Sequence, residues 1–412
     1  MKKKIDERLP REIGAGALPN HAAVKSPWEK LVSYHDAVHY VCRYGAVFSA
    51  AVMQAFRILV PDYVERSKAL CANAYKRLYV PFSQIVGPMA MEEHHIHPFC
   101  RGNFVGALNG DSGDDQLMMY GRVNDLGTYR AEKELDDCPW DIVGSELCRA
   151  TTQSLQGVAD AEAEYLQPGP RIEYHMVEAK GCGDLHCRIV AESREKYPMP
   201  NHEQWECFGP VATAEQIKFT PEEECLKESQ MFRAECNYTF CNGTCMECDS
   251  TSAYPMVYQS TGATYIFPTI DDLIANATLN EVFVDHVLKC VCEAAGKAAF
   301  GEFYAKEGLQ NWLGVPKDVE DGRVMGAHIE IVLQCMRVPY EIEAFNQEEV
   351  IYVIDRNALA NRMPKQVDGY IAFWYGMTKT LVNAMWSLWE EPNGVEKDKL
   401  RIKIAKKIDK YC

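Results

Sequence analysis

The 412-residue chain has no charge-free apolar run of about 18–20 residues, so no segment reads as a membrane-spanning helix. Its first residues, MKKKIDERLPREIGAGALPN, lack the apolar stretch of roughly 7–15 residues that a secretory signal needs, and the expected location is cytoplasmic. Basic charge is scarce: 43 Lys and Arg stand against 59 Asp and Glu, a net charge of −16. A chain of that sign is repelled by phosphate, so neither nucleic acid nor an anionic membrane is expected as a partner. Also missing are the phosphate-cradling GxxxxGK[ST], a GxGxxG after a strand, the GxSxG nucleophile elbow and HExxH. Nucleotide-dependent chemistry is therefore not indicated. Small-molecule substrates and other proteins remain as partners, among them a second copy of the chain in a homodimer.

What is present is a folded composition, 47% hydrophobic, and 17 cysteines. At roughly 100–200 residues per domain the length suits two or three domains. In a reducing compartment the cysteines are not a disulfide framework, and their odd number would leave one over. Metal, iron–sulfur or packing roles must account for them.

The chain reads as α+β, with helices packed on small antiparallel sheets. Residues 1–27 are polar and turn-rich, an N-terminal arm. A first α+β domain is expected over 28–200. Leu31, Val38, Cys42, Ala46 and Met53 recur at helical steps between Trp28 and Val60, and a second helix is expected over Tyr63–Tyr79. After Pro139, WDIVGSELCRATTQSLQGVADAEAEYL is a further helix candidate. RIEYHMVEA and CRIVAES then alternate as two strands about a turn on Gly181 and Gly183. Residues 201–269 form a Cys-rich linking region, and 270–412 a second α+β domain. That domain has helix candidates at 271–277, 282–306 and 367–388, strands at 328–333 and 349–354, and a basic terminal helix in KDKLRIKIAKKIDKYC. Val41-Cys42 and Val291-Cys292, each in an alanine-containing helix, suggest two related halves with the Cys-rich insertion between them, although the second half shows no counterpart of the 171–193 hairpin.

That hairpin carries the sharpest chemistry. Glu178, Cys182 and Cys187 fall within ten residues, and the two glycines allow thiolates from both sides of the turn to converge on one ion. Zinc takes four N, S or O ligands, and Cys138 or Cys148 could supply another. The stretch from CPWDIVGSELC through VEAKGCGDLHCRIVAES resembles the 4-vinyl reductase domain, a small-molecule-binding fold also used by aromatic-sensing bacterial transcription activators. The resemblance implies a helix before a terminal hairpin, with an upstream cysteine joining a glutamate and two cysteines on zinc. Glu178 stands four residues before Cys182, one more than that family's spacing. In its layout of a helical lead-in and a cysteine-bearing hairpin, the chain is also similar to the L-2-amino-thiazoline-4-carboxylic acid hydrolase-like proteins. That similarity implies hydrolysis of a small cyclic substrate.

Two further clusters bear on chemistry. MEEHHIHPFC sets Glu92, Glu93, His94, His95 and His97 close together, a donor mix that suits zinc, iron or manganese with an open position for water. His35 and His39 share a helix face and could assist. ECNYTFCNGTCMEC sets Cys236, Cys241, Cys245 and Cys248 within 13 residues, suited to zinc or an iron–sulfur cluster, with a spacing that matches neither common ferredoxin pattern. Scattered thiols such as Cys42, Cys71 and Cys335 read as packing. The expected function is a cytoplasmic metal-dependent hydrolase or lyase acting on a small cyclic or aromatic molecule through a metal-activated water. Glu92, Glu93, His95 and His97 would be catalytic, and His35 and His39 would help them. The alternatives are an iron–sulfur reductase and a zinc-stabilised sensor that binds a small molecule without turnover.

Overall fold

A computed structural model describes residues 23–28, 30–81, 121–125, 130–135, 172–193, 263–299, 313–336, 338–360, 363–391 and 396–407, with residues 143, 147, 156, 310 and 311. In chain order the elements are β1 (Ala23–Lys25), β2 (Leu31–Ser33), α1 (Tyr34–Leu59), α2 (Tyr63–Pro81), β3 (Gly121–Asp125), β4 (Arg130–Leu135), β5 (Ile172–Glu178) and β6 (Cys187–Ser193). They continue with α3 (Ala263–Ala275), α4 (Glu281–Ala298), α5 (Arg323–Cys335), β7 (Tyr340–Phe345), β8 (Glu349–Asp355), α6 (Arg356–Ala360), α7 (Pro364–Leu381), β9 (Trp386–Glu390) and β10 (Lys399–Lys406). Helices with small antiparallel sheets make the fold α+β. Among the described residues no single helix is long and apolar enough to cross a membrane.

The described residues form two compact units with interleaved chain segments, 23–55 with 280–407 and 56–193 with 264–279. Packing rather than composition draws this division. Most of α1 groups with the second half of the chain, and most of α3 with the first.

The unit of 23–55 and 280–407 holds a four-stranded antiparallel sheet in the order β7-β8-β10-β9. Leu400, Ile402 and Ile404 alternate along β10 and are buried, while Arg401 and Lys403 between them stay half-exposed, the period-2 pattern of a strand with one covered face. Helices α4 and α7 cross at two glycines. A Cβ on Gly296 would lie 2.0 Å from the Phe373 carbonyl oxygen, and one on Gly376 would lie 2.1 Å from that of Glu293. Only hydrogen fits at either point, so the backbones touch. The Phe48 ring of α1 stacks on Tyr370 of α7 with centroids 4.3 Å apart.

The unit of 56–193 and 264–279 holds a second four-stranded antiparallel sheet, in the order β3-β4-β6-β5. Buried Leu70 and Cys71 of α2 and Ile266, Phe267 and Ile270 of α3 contribute to its core. Asn73 donates to the Asp272 carboxylate at 2.7 Å, joining α2 to α3. Leu147 and Gln156, from the helix candidate after Pro139, are helical and buried.

Both sheets run first-second-fourth-third in strand order, so hairpin β9–β10 is the counterpart of β5–β6 that the sequence did not reveal. Three other expectations are corrected. Residues 328–333, expected as a strand, lie inside α5, whose residues from Val324 to Cys335 are all buried, so alternation there carried no information. The basic terminal segment is β10 rather than a helix. The helix expected over 367–388 ends at Leu381, and the chain turns into β9. The expected arm ends in β1, which pairs with β2.

Candidate functional site

The β5–β6 hairpin turns as its glycines require. Cys182 N–H donates to Ala179 O at 2.8 Å, and Gly183 sits at φ +100°, a left-handed conformation that costs glycine little. The Asp184 carboxylate accepts from Ala179 N–H at 2.8 Å and closes the loop. Lys180 N–H donates to Cys187 Sγ at 3.4 Å, a polar contact suited to a thiolate. Cys187 is buried and Cys182 exposed. The Glu178 carboxylate faces the sheet's charged surface, 2.6 Å from His186 Nε2 and 3.0 Å from Arg188 Nη2. Among the described residues no three His, Cys, Asp or Glu side chains converge as a metal group. The two thiols suit a zinc knuckle completed from elsewhere, whereas Glu178 is engaged by His186 and Arg188.

A second site was not anticipated. In the unit of 23–55 and 280–407, α4, α7 and β9 enclose a groove of about 530 Å³. Apolar walls come from Leu288, Ile371, Ala372 and Leu388, and Tyr375 and Trp389 add aromatic surface. At one end Lys365, with 11% of its side chain exposed, donates to Asp285 at 2.7 Å and to Glu281 at 3.1 Å. Burial pulls the Lys365 pKa down, but its two carboxylate partners outweigh burial and the net shift is upward. Asp368 stands beside them. Although it keeps solvent contact, the protein behind it pushes its carboxyl pKa up and the Asp285 charge adds to this, with Arg356 and Lys365 opposing. Arg356 is itself paired with Glu390. Asp368 has no hydrogen-bond or ion-pair partner among the described residues.

The other end is basic. Lys407 lies over the Trp389 ring at 5.7 Å and Lys379 over Tyr375 at 4.9 Å. Lys379 also donates to Ser387 Oγ at 2.8 Å. Its pKa is lowered by burial and then by the positive charge of Lys297, with Lys407 contributing further. Glu293 is taken by Lys297 at 2.6 Å. On its own helix or strand each of these residues resembles a solvated polar position. Only the i, i+3, i+7, i+10 run Lys365, Asp368, Ala372, Tyr375 hinted at one mixed face.

Sequence reading also missed a buried polar layer on α5. Tyr340 OH donates to Glu330 at 3.1 Å, Gln334 donates to Tyr340 OH at 3.2 Å, and Tyr352 OH donates to Gly326 O at 2.9 Å. His328 packs edge-on against Tyr44 and is pushed down to about 3 by burial, so it stays neutral. Cys71, Cys292 and Cys335 are buried thiols, and burial pushes Cys292 up to about 12, which fits the packing role.

Compared with known proteins, the chain matches no family model, no curated protein and no solved structure. Its site must be read from its own geometry.

Of the residues singled out in the sequence, Glu178, Cys182 and Cys187 stand together on one hairpin. His35 and His39 lie one turn apart near the start of α1. Glu92, Glu93, His95, His97, Cys138, Cys148, Cys236, Cys241, Cys245 and Cys248 lie outside the described residues.

Proposed function

We propose that this protein binds a small molecule in the groove between α4, α7 and β9, and that zinc on the cysteine hairpin serves the fold. The observation that carries the binding role is the coexistence, in one concave site of about 530 Å³, of apolar walls, two aromatic rings and the carboxylate of Asp368, which has no partner among the described residues. Binding sites combine mostly apolar surface with a few placed polar groups in this way. Cys182 and Cys187 would hold the zinc, with Cys138 or Cys148, and bound zinc would supply cross-linking energy to the hairpin. A cytoplasmic location would accord with the free thiols of Cys71, Cys182, Cys187, Cys290, Cys292 and Cys335. Catalysis would enter through Glu92, Glu93, His95 and His97, with metal-activated water as its chemistry.

The test is a calorimetric screen of small molecules against the full chain, repeated with Asp368→Asn and with Ile371→Trp, which fills the groove. Ligands should bind the wild type and lose at least tenfold in affinity in both variants, with melting temperature unchanged. If every ligand binds all three proteins equally, the groove is not the site.

A further inference from the structure

The groove runs along a sheet edge. Among the described residues β9 is the last strand in the order β7-β8-β10-β9. Glu391 N–H donates to Arg401 O and Lys407 N–H to Met385 O, each across directly opposed residues of the β9–β10 register. Bonded pairs alternate in an antiparallel ladder, so the odd-numbered residues of β9 bond to β10 and the N–H and C=O groups of Leu388 and Glu390 point away from it. Four consecutive residues, Ser387 to Glu390, line the groove. Successive side chains alternate between sheet faces, so a cavity touching all four follows the strand's edge.

Charge divides the groove lengthwise. Lys365 and Arg356 are each satisfied by carboxylates at the Glu390 end, which leaves Asp368 as the open negative group. Lys407 and Lys379, at the Ser387 end, rest on aromatic rings with no carboxylate on either ammonium among the described residues. Asp368 and Tyr375 are seven residues apart on α7, about 10 Å along its axis. Three residues of extended peptide also span about 10 Å.

Resting on the reading of this groove as the ligand site, we propose that its ligand is a short free peptide of about three residues. It lies antiparallel to β9, with its amino group at Asp368, its carboxylate at Lys407, and its backbone paired with the outward N–H and C=O of Leu388. Strand addition at an open edge supplies main-chain hydrogen bonds that tolerate many side chains, while the two charged ends set length and direction.

The test keeps the protein whole and alters the ligand. Calorimetry on the full chain would compare trialanine, Ala-Leu-Ala and Ala-Phe-Ala with three modified forms of each: N-acetylated, C-amidated, and N-methylated on the backbone nitrogen of the middle residue. The free peptides should bind, and each modification should weaken binding at least tenfold. Asp368→Asn should erase the difference between free and acetylated peptide, and Lys407→Gln that between free acid and amide. Equal affinity for all four forms, or an unchanged acetyl and amide penalty in both variants, overturns the peptide assignment. It is also overturned if no tripeptide binds while another small molecule binds in an Ile371→Trp-sensitive manner, an outcome that keeps the groove as the site. If no ligand of any class responds to groove substitutions, both assignments fall.

Discussion

Hairpins β5–β6 and β9–β10 occupy the same place in two sheets of the same strand order, and they are chemically unlike. Both inner strands carry a charged outer ladder. Arg188 on β6 meets Glu178 at 3.0 Å and Glu132 at 3.7 Å, while Arg401 on β10 meets Glu343 at 2.9 Å and pairs with Glu391. Beyond this ladder they diverge. The β5–β6 turn presents Cys182 and places Cys187 at the start of its second strand, whereas β9 presents aromatic rings and, among the described residues, a backbone edge that pairs with no further strand. The shared strand order thus supports a small antiparallel sheet in each unit, and the chemistry resides in the hairpins attached to it. On the proposed reading the first hairpin would hold zinc and the second would line the ligand groove.

Four measurements would break or sharpen that contrast. The largest effect is expected from zinc. A chelator should destabilise the unit holding β5–β6 by several kcal/mol, on the order of 5, and Cys187→Ser should abolish one bound zinc per chain while Cys335→Ser leaves it in place. An unchanged calorimetric profile with chelator would remove the metal from the contrast. Next is the helix crossing of α4 and α7 in the unit that holds β9–β10. Gly376→Val forces a side chain into the Glu293 carbonyl and should cost about 3 kcal/mol or more, seen as a lower urea midpoint.

The third effect is pH-dependent. Above pH 6.5 His328 is neutral in both folded and unfolded chains and contributes no slope. Below it the unfolded chain takes the proton first, because burial holds the folded value near 3. Stability of this unit should therefore fall by about 1.4 kcal/mol per pH unit between roughly 6.5 and 3, or about 2 kcal/mol by pH 5. His328→Gln should flatten that part of the slope in denaturation curves at pH 7 and pH 5. The smallest effect belongs to the charged ladder. Glu178 keeps 30% of its side-chain surface exposed, so Glu178→Gln should cost only about 0.5 kcal/mol by chemical denaturation. A loss of zinc in the same variant would instead give Glu178 a metal-binding role.

The legibility of the sequence followed how each element meets solvent. The β5–β6 hairpin was readable because its alternation and its glycines at 181 and 183 are local signals. The helices expected over 28–60 and 63–79 were readable from residues at helical spacing, except that Leu31–Ser33 form β2 and the first helix begins at Tyr34. Helix α5 was not, because it is covered on every side and HIEIVL carries no face. In β10 the lysines and arginine suggested a solvated helix, while the strict alternation of Leu400, Ile402 and Ile404 was the truer sign. Beyond the run from Lys365 to Tyr375 the groove had no local signature: its walls come from α4, α7, β9 and Lys407, and each contributes side chains that alone look like ordinary surface.

By itself the sequence determined the α+β class, the acidic balance and the cysteine hairpin, since composition, periodicity and turn residues act over a few neighbouring positions. Tertiary structure alone decided that the two sheets share a strand order, that α4 and α7 touch at Gly296 and Gly376, and that the carboxylate of Asp368 and the ammonium of Lys407 face one groove. These are relations between residues far apart in the chain. They arise when burial of apolar faces brings helices and strands together, and no local pattern encodes which surfaces will meet.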